Sequence, residues 1–215
     1  MTPYSHIIWD WNGTLFDDVA CCIAAINVML RRRGMQTIQS VAAYRSVFGF
    51  PVQEYYRQLG FDFSKEPFTD LSAEYIPIYQ RLASQAPLYP NAQAVLEDVR
   101  ELGVRQVILS ASQVDNLVSQ IEPFGITGFF DEILGLPDIL AASKVGLGKQ
   151  YIASVKARRV LLVGDTVHDL EVADSLGADC VLVAAGHQDR PTLSDSGATV
   201  VDSLTDVAEI LVPSE

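Results

Sequence analysis

Positive charge is scarce in this chain. Lys and Arg number 15 against 27 Asp and Glu, a formal net charge of −12. Nucleic-acid binding rests on neutralising phosphates with cations, so the charge argues against nucleic acid and none is expected as a partner. A small phosphorylated ligand is not, because a bound divalent cation inverts the local charge logic. Cysteine is scarce too, at 3 residues. Cys21 and Cys22 are adjacent in a helical stretch and Cys180 lies in an apolar run, which is neither a disulfide framework nor a zinc-ligand spacing. No apolar run reaches the roughly 18 residues of a membrane span, and no basic, hydrophobic leader opens the chain. The expectation is a soluble, cytoplasmic protein with no membrane partner. Internal repeats and low-complexity tracts are absent. So is a phosphate-binding loop, since Ser143-Lys144-Val145-Gly146-Leu147-Gly148-Lys149 lacks the leading Gly and the final Ser or Thr.

What is there begins at His6-Ile7-Ile8-Trp9-Asp10-Trp11-Asn12-Gly13-Thr14-Leu15-Phe16-Asp17-Asp18. A short apolar run bounded by turn residues reads as a buried strand. Ligands of open α/β sheets bind beyond the carboxyl ends of such strands, where Asp10 falls. Gly13 allows a tight turn, and Thr14 can donate to a phosphate oxygen; both Asp10 and Thr14 equally suit a turn cap.

After this strand the pattern turns helical. Phe16 to Arg33 carries apolar residues at spacings of three and four and is ended by Gly34. Val41–Phe48 and Val52–Leu59 read as short helices. Phe68 to Ala83 reads as a longer one that Pro77 should kink or divide. From about Pro87 an α/β alternation resumes. Strands are expected at Val104–Leu109, Glu132–Gly135, Val160–Gly164, Cys180–Ala184 and Thr199–Val201. Helices are expected at Ala92–Leu102, Asn116–Ile121, Lys149–Lys156, Asp169–Leu176 and Leu204–Leu211. The fold class is α/β: a Rossmann-like parallel sheet core, residues 1–15 and 87–215, with an inserted all-helical cap, residues 16–86.

Three strand ends carry polar groups: Asp10, Ser110 and Asp165. Gly164-Asp165-Thr166-Val167-His168-Asp169 places two acids four residues apart, on one face if a helix starts within the segment. Helix capping accounts for one acid. Several clustered carboxylates repel one another unless a cation is present, and Mg²⁺ suits one or two carboxylates plus a substrate phosphate. Ser110 suits a phosphoryl hydrogen bond or an N-cap. Lys144 alone reads as a surface charge, although phosphoryl transfer needs such a cation.

Taken together, D-x-N-G-T-L-F-D, Ser110, Lys144 and Asp165/Asp169 in that order resemble the four motifs of the haloacid dehalogenase superfamily. The closest general similarity is to its phosphoglycolate-phosphatase-like branch, and the helical insertion looks like the superfamily's C1 cap. The resemblance implies a nucleophilic Asp10 that attacks phosphorus to form an aspartyl-phosphate. It implies Mg²⁺ held by Asp10, the backbone carbonyl of Asn12 and Asp165, with Asp169 direct or through water. Ser110 and Lys144 would grip the phosphoryl group, and Lys144 would orient Asp10. Gly13, Thr14 and Ala111 would complete the substrate cradle, and Arg45 of the cap could meet an anionic substrate. The partner implied is a small phosphorylated metabolite, and the protein is expected as a monomer or homodimer.

The chain departs from the superfamily's usual D-x-D-G-T at one position, Asn12. There the phosphatases carry the Asp that protonates the leaving alcohol and then deprotonates the attacking water, and an amide cannot exchange a proton at neutral pH. The expectation is therefore a Mg²⁺-dependent phosphohydrolase that is slow, or that uses Asp17, Asp18 or His168 instead. The alternative is a catalytically weak phosphate-binding or regulatory protein on the same fold.

Overall fold

The computed structural model describes residues 2–137 and 144–211. Its centre is a six-stranded, all-parallel sheet in the order β3-β2-β1-β4-β5-β6. The strands are β1 (His6–Trp9), β2 (Arg105–Gln113), β3 (Glu132–Leu136), β4 (Val160–Gly164), β5 (Asp179–Val183) and β6 (Thr199–Val201). Every residue of β1 and β4 is buried. That burial is why the two central strands read as unbroken apolar runs rather than alternating ones. The strand order reverses between β1 and β4, and in open parallel sheets ligands bind at such a switch point.

Helices cover both faces. Between β1 and β2 lie α1 (Val19–Arg32), α2 (Val41–Arg45), α3 (Val52–Gln58), α4 (Phe68–Ala83) and α5 (Ala92–Glu101). After β2 come α6 (Val114–Ile121), α7 (Val145–Val155), α8 (Val167–Leu176), α9 (Arg190–Asp195) and α10 (Leu204–Leu211). Among these, α9 is absent from the sequence expectation. It is a short helix capped by Asp189, whose side chain accepts from the Thr192 amide. Pro77 does not divide α4, which runs as one helix through it. No helix among the described residues is long and apolar enough to cross a membrane.

One face of the sheet packs through Ile7, Trp9, Ile108, Leu161 and Val163 against Val95, Leu96 and Val99 of α5 and Val207 of α10. The other packs Ile8, Leu109 and Leu162 against Val172 and Ala173 of α8. Helices α1–α4 gather a separate, aromatic-rich cluster that includes Ile26, Leu30, Tyr44, Tyr55, Tyr56 and Leu71. Tyr79 of α4 packs against both this cluster and that of the sheet. The segments leading out to these helices and back run side by side. Phe16 bridges Leu88 in antiparallel fashion, the Asp17 amide donates to Pro87 O and the Tyr89 amide to Leu15 O.

Candidate functional site

Strand register assembles the site. Trp9 lies level with Ile108 on one side and Val163 on the other, and the Asp10 amide donates to Val163 O at 2.8 Å. Asp10 thus leaves β1 beside Leu109–Ser110 of β2 and the Gly164–Asp165 end of β4. Polar side chains from distant parts of the chain are placed on one sheet edge by hydrogen-bond pairing alone. Asp10, Asp165 and Asp169 each offer a carboxylate oxygen within 4.8 Å of the others, and all three are buried.

Lys144 is the cation of this cluster. Its Nζ donates to Asp10 Oδ1 at 2.5 Å and to Asp169 Oδ1 at 2.8 Å. Read alone it is a surface charge; in the structure it is 3% exposed. Burial disfavours its charge, but Asp10 and Asp169 outweigh that and raise its pKa. The preceding Ala141–Ser143 of its motif lie outside the described residues.

Asp169 serves two roles at once. Its Oδ2 accepts from the Thr166 amide and hydroxyl at 3.1 and 2.8 Å, the return half of a capping box at the start of α8. Its Oδ1 holds Lys144. Capping and charge clustering are therefore compatible readings of the same residue, and these partners keep its pKa low against the opposing effect of burial.

The other two carboxylates are less well compensated. Burial pushes Asp10 up to about 7, with Lys144 pulling down and Asp169 and Asp165 pushing further up. Asp165 is pushed up to about 6, again by burial first. One lysine thus shares a buried site with three acids. That surplus of negative charge fits a hard divalent cation, which takes oxygen ligands.

Gly13 stands at φ +76°, in the left-handed region, and a Cβ there would collide with Asp165 Oδ2. The backbone could not pass this close to the carboxylate with any side chain. Thr14 turns its hydroxyl to Asp165 Oδ1 at 3.1 Å. Ser110 is buried, and its Oγ accepts from the Ser112 amide. Ala111 is exposed within β2, which continues past Ser110 to Gln113 instead of ending at the serine.

The Asn12 amide is fully engaged. Its Nδ2 donates to Asp18 Oδ2 at 2.9 Å and to Tyr79 Oη at 2.7 Å, while its Oδ1 accepts from Ser112 Oγ at 2.9 Å. Of the three residues named as substitute acids, Asp18 is the one touching Asn12. It is buried, and it also accepts from the Gly13 amide and Tyr79 Oη. Asp17 is half-buried, and burial together with Asp18 raises its pKa. His168 pairs with Glu171 at 3.0 Å and stacks on Phe50.

The residues that sequence reasoning missed lie in the loop between β5 and α9. The His187 amide donates to Asp165 Oδ2 at 2.6 Å, and a Cβ on Gly186 would collide with the same oxygen and with Gly13 O. The His187 ring is buried, with Nε2 3.3 Å from Asp18 Oδ1 and Nδ1 2.9 Å from Tyr44 Oη. Burial works against its charge, yet Asp18, Asp165 and Asp10 prevail and raise its pKa to about 9. The available signal was the run of small residues Ala184-Ala185-Gly186 after an apolar strand, a sequence that lets backbone press against a carboxylate.

In the structure Arg45 reaches the loop between β5 and α9: its Nε donates to Gly186 O at 2.8 Å and its Nη2 to Ala185 O. α2 thereby clamps the loop that covers Asp165. Arg45→Ala removes two charge-assisted hydrogen bonds and should cost about 1–3 kcal/mol. Amide hydrogen exchange should then rise at residues 184–189 while the strands stay protected.

A family model for haloacid dehalogenase-like hydrolases matches residues 7–183. The chain is 23% identical over 216 residues to a phosphoglycolate phosphatase of Caulobacter vibrioides, covering 96% of this chain and 90% of that protein. It is 26% identical over 208 residues to a tyrosine-protein kinase, PtkA, of Mycobacterium tuberculosis, covering 95% of this chain and 70% of the kinase. The fold superimposes with a TM-score of 0.83 on a crystal structure of a putative phosphoglycolate phosphatase from Lactobacillus delbrueckii, at 19% identity and 100% coverage of both chains. Together with the family match over most of its length, the six-stranded parallel sheet places this chain in the haloacid dehalogenase-like hydrolase family.

Proposed function

We propose that the protein is a Mg²⁺-dependent phosphohydrolase of a small phosphate monoester, acting through an aspartyl-phosphate on Asp10. The observation that carries this reading is Lys144 spanning Asp10 and Asp169 at the switch point, with Asp165 beside them. The phosphoglycolate phosphatases among the relatives support the same substrate class.

Asp10 carries the nucleophilic oxygen. Lys144 favours its ionised form against the cost of burial and balances charge as the phosphoryl group arrives. Asp169 positions Lys144. Ser110 and the backbone around Gly13 and Thr14 lie at the same edge and supply hydrogen bonds to phosphoryl oxygens. The cation would be held by Asp10, the Asn12 carbonyl and Asp165, with Asp169 direct or through water. Mg²⁺, when bound, offsets the surplus carboxylate charge and polarises the phosphoryl oxygens. Residues 16–86 act as a cap over this edge, and residues 1–15 and 87–215 form the core that carries it.

The leaving group departs without help from Asn12, since both amide hydrogens are taken by Asp18 and Tyr79. General acid catalysis contributes on the order of 10²–10⁴-fold. Aryl and acyl phosphates, whose leaving groups need little protonation, are therefore the favoured substrates and simple alkyl phosphates the poor ones. The occupied amide also supports the second reading, a phosphate-binding protein with little turnover.

One experiment separates the two readings. Wild-type protein is assayed on an aryl phosphate with Mg²⁺, then after chelation, and phosphate binding is measured in parallel. Turnover that chelation abolishes and Mg²⁺ restores is the expected result. Phosphate binding without turnover would favour the binding protein. Absence of both turnover and binding would overturn the assignment.

A further inference from the structure

We infer that Asp18, Cys22 and His187 form a second cation site, selective for a thiophilic divalent ion such as Zn²⁺ and distinct from the Asp10/Asp165/Asp169 cluster. Each of the three offers a donor atom within 4.8 Å of the others. They come from separate parts of the fold. Asp18 is the N-cap of α1, Cys22 lies one turn along the same helix, and His187 belongs to the loop after β5. Residues four apart on a helix face the same way, so Asp18 and Cys22 present their donors together. This juxtaposition is invisible in cysteine spacing, because the third ligand lies far along the chain.

Three protein donors would leave the fourth position of a tetrahedral ion to water. With Zn–S of about 2.3 Å and Zn–N or Zn–O of about 2.0–2.1 Å, neighbouring ligand atoms stand roughly 3.3–3.6 Å apart. Cys22 Sγ is 3.5 Å from Asp18 Oδ2 and His187 Nε2 is 3.3 Å from Oδ1, so thiol and ring approach the two oxygens of one carboxylate, which would turn to present one of them to the ion.

The supporting groups point the same way. A metal-ligating histidine almost always uses its other ring nitrogen to hold a partner, which fixes the ring. Here Nδ1 is paired with Tyr44 Oη at 2.9 Å, which leaves Nε2 directed at Asp18. Asp18 is itself oriented by Asn12, Tyr79 and the Gly13 amide. Sulfur, imidazole and carboxylate together select Zn²⁺ over Mg²⁺, whose ligands are oxygen. An ion held here would tie α1 to the loop covering Asp165.

The inference does not rest on the phosphohydrolase reading, and its test avoids activity. Metal-free, reduced full-length protein is titrated with Co²⁺ and followed by absorption. The expected result is one equivalent that gives a thiolate-to-cobalt charge-transfer band and visible bands of a four-coordinate ion, both displaced by Zn²⁺. Cys22→Ser should remove the charge-transfer band. His187→Gln should weaken binding by more than the roughly 10–100-fold typical of changes outside the ligand set. Cys21→Ser and Asp10→Asn should leave the band in place. In wild type, Zn²⁺ should protect Cys22 from alkylation, as read by peptide mass; this readout needs no variant to fold. No charge-transfer band, its persistence in Cys22→Ser, its loss in Asp10→Asn, or unprotected Cys22 would each overturn the site.

Discussion

Asp10→Asn should abolish turnover of an aryl phosphate, by on the order of 10⁶-fold, the scale on which removal of a covalent nucleophile is felt. The same substitution should leave the fold at least as stable as wild type. Asp10 is pushed up to about 7 because its charge is buried among other acids. An amide of the same shape removes that repulsion, and Lys144 retains Asp169 as a partner. The two effects should diverge in sign, with activity lost while the thermal midpoint holds or rises. A structural role for Asp10 predicts the opposite pairing, a falling midpoint with residual activity in proportion to folded protein. Thermal melts with and without Mg²⁺ complete the test. A cation stabilises whatever state binds it, so wild type should gain stability with Mg²⁺ and the variant should gain less.

The parts of this site legible in the sequence are those set by strand ends. β1 and β4 are unbroken apolar runs because they are central in a parallel sheet, and each run stops at a carboxylate. Once the strands are placed, pairing brings Asp10, Ser110 and Asp165 to one edge without further information. The Asp169 spacing is equally local, since it is a helix-capping geometry.

What was illegible depends on tertiary approach. Lys144 carries no local mark of burial; its environment comes from Asp10 and Asp169, far away in sequence. Gly186 and His187 press backbone against Asp165, one by having no side chain and the other through its amide, and backbone leaves little compositional trace; the His187 ring meets Asp18 and Tyr44 only through tertiary approach. The charge of Arg45 is visible in the sequence, and its carbonyl partners Gly186 and Ala185 are not. Pro77 marks a break in an isolated helix, but α4 is held by its packing against α1 and continues through it. Domain packing overrides local propensity here, as it commonly does.

Asn12→Asp brings the two strongest demands on this site into conflict. It restores the side chain that the phosphatase motif carries, and it sets a carboxyl group against Asp18, whose oxygen now accepts from the Asn12 amide at 2.9 Å. Two carboxylates at this distance cannot both ionise cheaply, so the new acid should hold its proton and donate it to Asp18. Its folded pKa is then raised above the unfolded value. Below the unfolded pKa both states are protonated and the variant matches wild type. As pH rises from there to the folded pKa, the unfolded state ionises first and the variant loses stability. Beyond the folded pKa the penalty levels off, having grown by about 1.4 kcal/mol per pH unit across the gap between the two pKa values. Denaturant melts of the two proteins between acid and neutral pH should therefore diverge as pH rises. The same retained proton is what an alkyl leaving group requires. Hydrolysis of alkyl phosphates should rise by on the order of 10²–10⁴-fold, and that of aryl phosphates much less. A uniform gain on both substrates would place the benefit in the step they share, deprotonation of the water that attacks the aspartyl-phosphate. No gain on either, in a folded variant, would show that Asp18 and Tyr79 keep the acid turned away from the leaving group.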